Sequence, residues 1–343
     1  MAPATKAAGR PLGALNTEAC VTSDARENFT QVRRPIMIDP LGKTRRQFLR
    51  DTALFAAGAA AFGGSGGAAF AREPIERKEK PRLKLSCAAY SYRRYLGGEQ
   101  PTMTVPQFID ACAAADLDGV ELTGYYFPQP VADDYLHEIK RQCYLLGIDI
   151  SGTGHRNNFC RPPGPERDKD IAWVKEWIDH AVVLGAPFCR IYAGAVQEGQ
   201  TYEDTLKWCI DAIQQVSEYG GTRGVMCGLE THGGITATAE QTLRIIDGVQ
   251  SDWFGLNLDV ANFHTQDPYA DTAQVAKYAI TVHLKTEVAP EGQGKQPMDF
   301  QRVIDIMRGV NYRGYLTIEH EANEDPAEAV PRYAKIIQGL LRQ

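Results

Sequence analysis

The chain has 343 residues, 43% apolar and 23% charged, which excludes a disordered or fibrous protein and is enough for a full hydrophobic core. Net charge is −6, unevenly spread: residues 1–71 hold 9 Lys/Arg and 5 Asp/Glu, leaving 28 against 38, a net of −10, in residues 72–343. So acidic a region repels phosphate backbones and argues against nucleic-acid binding as its main task.

Chain order begins with a tail that reads as an address. Residues 1–36 are polar and patternless and are expected to be a disordered extension, with a natural start at Met37. In residues 37–71, Thr44-Arg45-Arg46-Gln47-Phe48-Leu49-Arg50 precedes an uncharged stretch from Ala53 to Ala71 that ends Ala69-Phe70-Ala71. Its five glycines and few large apolar residues make it too weak for a stable membrane anchor. Paired arginines before a mild apolar run resemble a twin-arginine export signal. That implies the twin-arginine translocase as a transient partner and a periplasmic destination, reached already folded. Residues 72–82 are expected to be a charged linker. Of eight cysteines, seven follow residue 71, none in a C-x-x-C pair. Cys112, Cys209 and Cys227 lie among apolar neighbours and are expected to be buried thiols rather than disulfides or zinc ligands.

From residue 83 to 343 short β-rich runs alternate with longer amphipathic ones. The predicted strands are 83–91, 119–123, 147–152, 188–193, 225–230, 254–259, 280–285 and 314–319. The predicted helices are 104–115, 133–146, 168–184, 202–219, 238–249, 270–278, 299–309 and 326–341. Gly147, Gly185 and Gly220 stand at helix stops, and Asp133, Thr201 and Thr238 at N-caps. Eight strand–helix repeats in roughly 250 residues predict an α/β (β/α)8 TIM barrel. An open doubly wound sheet is disfavoured, because no Gly-rich nucleotide fingerprint follows the first strand.

Chemistry in such a barrel collects at the C-terminal strand ends. There the sequence places Tyr90 and Tyr92, then Glu121, His155, Glu230 with His232, Asp259 with His264, His283 with Lys285, and Glu319 with His320. Glu230, Asp259, His283 and Glu319, on four consecutive strands, are expected to converge. Three clustered carboxylates repel unless a cation compensates them. One imidazole with three carboxylates suits Mn²⁺ or Mg²⁺, with Zn²⁺ and Co²⁺ also compatible. His155, His232, Lys285 and Glu121 are candidate substrate-binding groups, Glu121 alternatively orienting His155. His320 is expected to be structural, His137 and His180 to be surface or packing residues, and Trp173, Trp177 and Trp208 to pack.

Glu, Asp, His and Glu at successive strand ends resemble the xylose-isomerase-like TIM barrels of the sugar isomerase/epimerase superfamily. The local wording agrees: Leu229-Glu230-Thr231-His232-Gly233-Gly234, Asn257-Leu258-Asp259-Val260-Ala261-Asn262-Phe263 and Tyr312-Arg313-Gly314-Tyr315-Leu316-Thr317-Ile318-Glu319. The resemblance implies one divalent ion, often manganese, held by Glu230, Asp259, His283 and Glu319. It also implies that Glu230 and Glu319 form an acid/base pair.

Moving a proton beside a carbonyl needs a base at carbon and charge stabilisation at oxygen, which a carboxylate and a divalent ion supply. The sequence therefore leads to a metal-dependent isomerase or epimerase of an unphosphorylated sugar or keto-sugar, acting through a metal-stabilised enediolate. Export argues against phosphorylated substrates, and the loop 288–298 is weak support for a phosphate site. A keto-sugar lyase or dehydratase working by β-elimination stays open, as does a non-catalytic exported sugar-binding barrel. A DNA-repair endonuclease fits the acidic domain poorly. Exposed helix faces leave a homo-oligomer open.

Overall fold

The computed structural model describes residues 72–343, so the expected extension and export signal lie outside the described residues. Eight parallel strands close into a barrel: β1 Arg82–Ala88, β2 Gly119–Thr123, β3 Asp149–Gly154, β4 Phe188–Ile191, β5 Met226–Glu230, β6 Phe254–Asp259, β7 Ala279–Lys285 and β8 Arg313–Glu319. Each pairs with its chain neighbours, and β1 closes the ring on β8. The helices are α1 Val105–Ala114, α2 Asp133–Leu146, α3 Pro165–Leu184, α4 Tyr202–Arg223, α5 Ala239–Gly248, α6 Pro268–Val275, α7 Phe300–Gly309 and α8 Pro326–Leu341. No described helix is long and apolar enough to cross a membrane.

Strand alternation sorts the side chains. Along β7, Val282 and Leu284 belong to the apolar core shared with the helices, while Thr281, His283 and Lys285 take the other face, all buried. Phe188 plugs the barrel one layer below the site. Its ring takes the space a side chain at Gly152 would need, since a Cβ there would lie 2.1 Å from the ring. Packing of this kind makes the barrel interior a core rather than a pore.

Most expected boundaries match within a few residues, and the exceptions have local causes. Strand one stops at Ala88, and Ala89–Tyr92 turn into a 3-10 helix. Strand three begins at Asp149, because Gly147 is used as the left-handed end of α2 (φ 67°). Gly185 ends α3 in the same way (φ 76°). The expected stop at Gly220 is wrong: α4 continues to Arg223 and ends on Gly224 (φ 74°). Gly220 is needed for close approach instead, since a Cβ there would lie 2.4 Å from the Val225 carbonyl oxygen. Thr201 and Thr238 cap α4 and α5 as expected, whereas Asp133 is the first residue of α2 and Ala132 its N-cap. Its carboxylate there still favours the helix through the dipole.

The segment read as a linker is anchored at its start. Arg72 donates to the Phe254 carbonyl at 2.6 Å, and Arg77 to that of Ala279 at 2.5 Å. Both are strand-start residues, so the segment crosses the N-terminal end of the barrel. All seven described cysteines are buried and free.

Candidate active site

Register brings the expected residues together. Asp259 on β6 pairs directly with His283 on β7, and Lys285 on β7 with Glu319 on β8. Glu230 ends β5 opposite Asn257. One donor atom each from Glu230, Asp259, His283 and Glu319 lies within 4.8 Å of the other three, and all four residues are buried.

The electrostatics are those of crowded carboxylates. Burial raises Glu230 to about 7, with Arg190 opposing and Glu319 reinforcing. Burial also raises Asp259 to about 7, with Lys285 opposing and Glu319 and Glu230 reinforcing. Glu319 is equally buried, but Lys285 and His283 outweigh that and hold it well below the usual carboxylate range. Lys285 Nζ lies 2.8 Å from Glu319, 3.2 Å from Asp259 and 2.9 Å from Glu321. One ammonium thus serves three carboxylates.

His283 tests whether the cluster fits a metal. Its Nε2–H donates to Glu121 Oε2 at 2.9 Å, since a carboxylate can only accept. Nδ1 is buried without a hydrogen-bond partner and lies 3.6 Å from Glu319 Oε2. Burial opposes protonation of the ring, but Glu121 and Glu319 outweigh it and raise its pKa well above the imidazole norm. A divalent ion at Nδ1 would take the place of that proton and relieve the carboxylates. A carboxylate on the far nitrogen is the usual way a metal-binding histidine is oriented. The residues present fit a single divalent cation with mainly oxygen ligands.

The other expected groups divide. Lys285 sits inside the cluster. His232 lies at the cavity wall, packed 4.7 Å from the Tyr192 ring, its pKa lowered by burial and then by Lys285. Glu121 does not orient His155; it holds His283. His155 stands outside the cavity wall. Its Nδ1 accepts from Trp173 Nε1 at 2.9 Å and the Arg156 amide at 2.8 Å, and its ring packs on Tyr125, Trp173 and Trp177. His320 is buried and bonds Thr286 at 3.0 Å. Tyr92 is core, against Phe108. His137 is exposed on α2, His180 packs on Trp177, and His264 is on an exposed loop.

Arg190 on β4 escaped the sequence reading. It is buried, with Nε 3.3 Å from Glu230 and Nη1 3.9 Å from Glu121. Its Nη2 donates to Tyr125 at 2.7 Å, and the guanidinium stacks on Tyr192. The available signal was a lone charge inside the apolar run Phe188-Cys189-Arg190-Ile191. Asn257, between Glu230 and His283, was missed for a similar reason. Above the cluster opens a cavity of about 380 Å³, walled by Glu230, Glu319, Glu321, His232, Tyr192 and Asn157.

The class defined by the fold is a parallel eight-stranded α/β barrel, here with a buried Glu-Asp-His-Glu cluster at its C-terminal mouth whose donor atoms could hold a metal ion. The family model described as "Xylose isomerase-like TIM barrel" matches residues 109–338, and the chain belongs to that family. No curated protein matches the sequence. Solved structures share the fold. L-ribulose 3-epimerase is 16% identical (TM-score 0.62), over 76% of this chain and 94% of that one. D-psicose 3-epimerase from Clostridium cellulolyticum H10, determined with D-tagatose, is 14% identical (TM-score 0.62), over 76% and 98%. 3-Keto-D-glucoside 4-epimerase from E. coli is 14% identical (TM-score 0.59), over 76% and 100%. At these identities the likeness is one of fold.

Proposed function

We propose that the protein is a divalent-metal-dependent isomerase or epimerase of an unphosphorylated sugar or keto-sugar. The observation that carries this reading is the set of four buried ligand atoms within 4.8 Å, two of whose residues, Glu230 and Glu319, also wall a cavity of about 380 Å³. A bound ion, Mn²⁺ by the oxygen-rich donor set, would polarise the substrate carbonyl and acidify the neighbouring C–H. The chain's residues do the rest. A carboxylate oxygen of Glu230 or Glu319 takes the proton from the carbon beside the carbonyl. Return of a proton to that carbon by the other carboxylate, from the opposite face, inverts the centre. Arg190 beside Glu230, and Lys285 beside Glu319, place fixed positive charge where negative charge moves. His232 on the wall offers hydrogen bonds to hydroxyls, while the Asn157 carboxamide is held by the Tyr192 backbone at 2.7 and 2.9 Å. The proposal includes export by the twin-arginine route, supported by Arg45 and Arg46 and by seven unpaired cysteines.

The test is metal content together with proton exchange. Protein purified without added metal, then equilibrated with Mn²⁺, is expected to hold about one ion per chain, and the Asp259→Asn variant to hold none. In D2O the loaded protein is expected to exchange the proton beside the carbonyl of at least one of D-fructose, D-psicose, D-xylulose or 3-keto-D-glucose. No retained ion and no exchange would overturn the reading. Growth of an ultraviolet-absorbing conjugated ketone in place of exchange would make the protein a lyase.

A further inference from the structure

A second cavity, about 850 Å³, adjoins the first. Tyr90, Tyr125 and Arg156 line both, so the two form one cleft with a neck. The neck is built. Tyr125 is held by Arg190 Nη2 at 2.7 Å on its metal-site side, and the Arg156 guanidinium covers its ring at 4.6 Å.

The two halves differ in chemistry. The inner cavity has three glutamates, a histidine and two asparagines on its wall, whereas the outer groove is walled by Leu96, Met103, Tyr126, Phe127 and Tyr135. No carboxylate, carboxamide or imidazole lines the outer groove. Its charged groups are Arg93 and Arg156, and Arg93 already donates to the carbonyls of His320 and Glu321 at 2.7 and 2.8 Å. A second sugar ring there would lose water from its hydroxyls and meet only phenol and threonine hydroxyls as side-chain acceptors in return, with none of the carboxylates or carboxamides that line the inner cavity. A flat apolar ring would gain buried area against aromatic faces. The whole cleft also exceeds what one monosaccharide fills.

We propose that the outer groove is a subsite for an apolar, ring-shaped aglycone, so that the substrate is a glycoside whose sugar lies over the metal cluster and whose aglycone passes the Tyr90–Tyr125–Arg156 neck. This rests on the reading of the inner cavity as a sugar site and narrows its substrate class.

Binding of phenyl and methyl D-glucosides, in both anomeric forms, to the full chain loaded with Mn²⁺ tests this by calorimetry. Neither ligand carries a ketone, so turnover does not intrude. One phenyl glucoside is expected to bind about tenfold or more tighter than its methyl counterpart. Met103→Trp, which fills the groove, and Tyr126→Ala, which removes one wall, are each expected to bring that ratio towards one while methyl glucoside affinity stays unchanged. An unchanged melting temperature shows that the variants fold. A ratio near one in the unaltered protein, or equal losses for both ligands in the variants, would overturn the subsite. So would failure of both phenyl glucosides to bind. The sugar reading fails separately, when no ion is retained and no keto-sugar exchanges its proton. Phenyl glucoside binding that persists in Asp259→Asn with no methyl glucoside binding would make the groove an independent aromatic site, against the proposal.

Discussion

Each end of the barrel carries a lysine among acidic groups, and the two differ in how the charges are matched. At the N-terminal end Lys84 meets Asp149 at 2.6 Å, and Tyr315 donates to the same carboxylate at 2.5 Å. One ammonium, one carboxylate and one phenol satisfy each other, half exposed. At the C-terminal mouth Lys285 faces Asp259, Glu319 and Glu321, while His283 Nδ1 is buried without a partner. The lower cluster is complete and the upper is short of positive charge. Similar residue types thus build a latch at one end and a site for a cation at the other, the difference being the number of carboxylates and the depth of their burial.

The sharpest way to break that contrast is to remove each lysine. Lys285→Met leaves buried carboxylates uncompensated and is expected to cost about 3–5 kcal/mol in metal-free protein. Mn²⁺ should restore much of the loss, because an ion that binds only the folded state stabilises it. Thermal melts with and without Mn²⁺ measure both. Small, metal-independent losses would show that the mouth is an ordinary ion-pair network.

His155 sharpens it through pH. Burial lowers its pKa from 6.5 to about 4, and Nδ1 is occupied by two donors. Between those values the unfolded chain binds the proton and the folded one does not. Stability is therefore full above pH 6.5 and falls as the pH drops towards 4. Urea titrations of His155→Gln against the unaltered protein over that window are expected to show a shallower fall in the variant. Parallel curves would remove His155 from the account.

Glu121→Gln keeps the shape beside His283 but weakens its orienting bond, and a loss of about 10–100-fold in Mn²⁺ affinity is expected. Rescue of affinity by Glu121→Asp would mark the carboxylate, rather than packing, as the cause. The smallest effect belongs to the lower end. Lys84→Met is expected to cost about 1 kcal/mol or less and to leave Mn²⁺ binding unchanged. Asp149 is held below its ordinary pKa by hydrogen bonds from Lys84 and Tyr315, so its contribution is present above the normal carboxylate range. It is lost as pH falls through the lowered value, and Lys84→Met should flatten that acid limb of the melting curve.

Eight strands, eight helices and four convergent strand ends were legible in the sequence because each rests on a short-range rule. Alternation with period two put His283 and Lys285 on one face, and Thr201 and Thr238 mark helix starts by their own hydrogen bonds. Gly147 and Gly185 likewise mark stops through a backbone conformation that costs glycine least. Gly220 misled for the complementary reason: its need is a close approach to Val225, which no local pattern announces. The partners of the site residues depended on the closed ring. Only when β2, β4, β5 and β7 face one axis does Glu121 meet His283 and Arg190 meet Glu230. The apolar groove is likewise assembled by loops after β1, β2 and β3, far apart in the chain. Sequence by itself therefore determined the barrel and its ring of ionisable strand ends, since periodicity and backbone preference act over a few residues. Tertiary structure alone decided which charge answers which and where the cleft widens, since those depend on distances across the barrel.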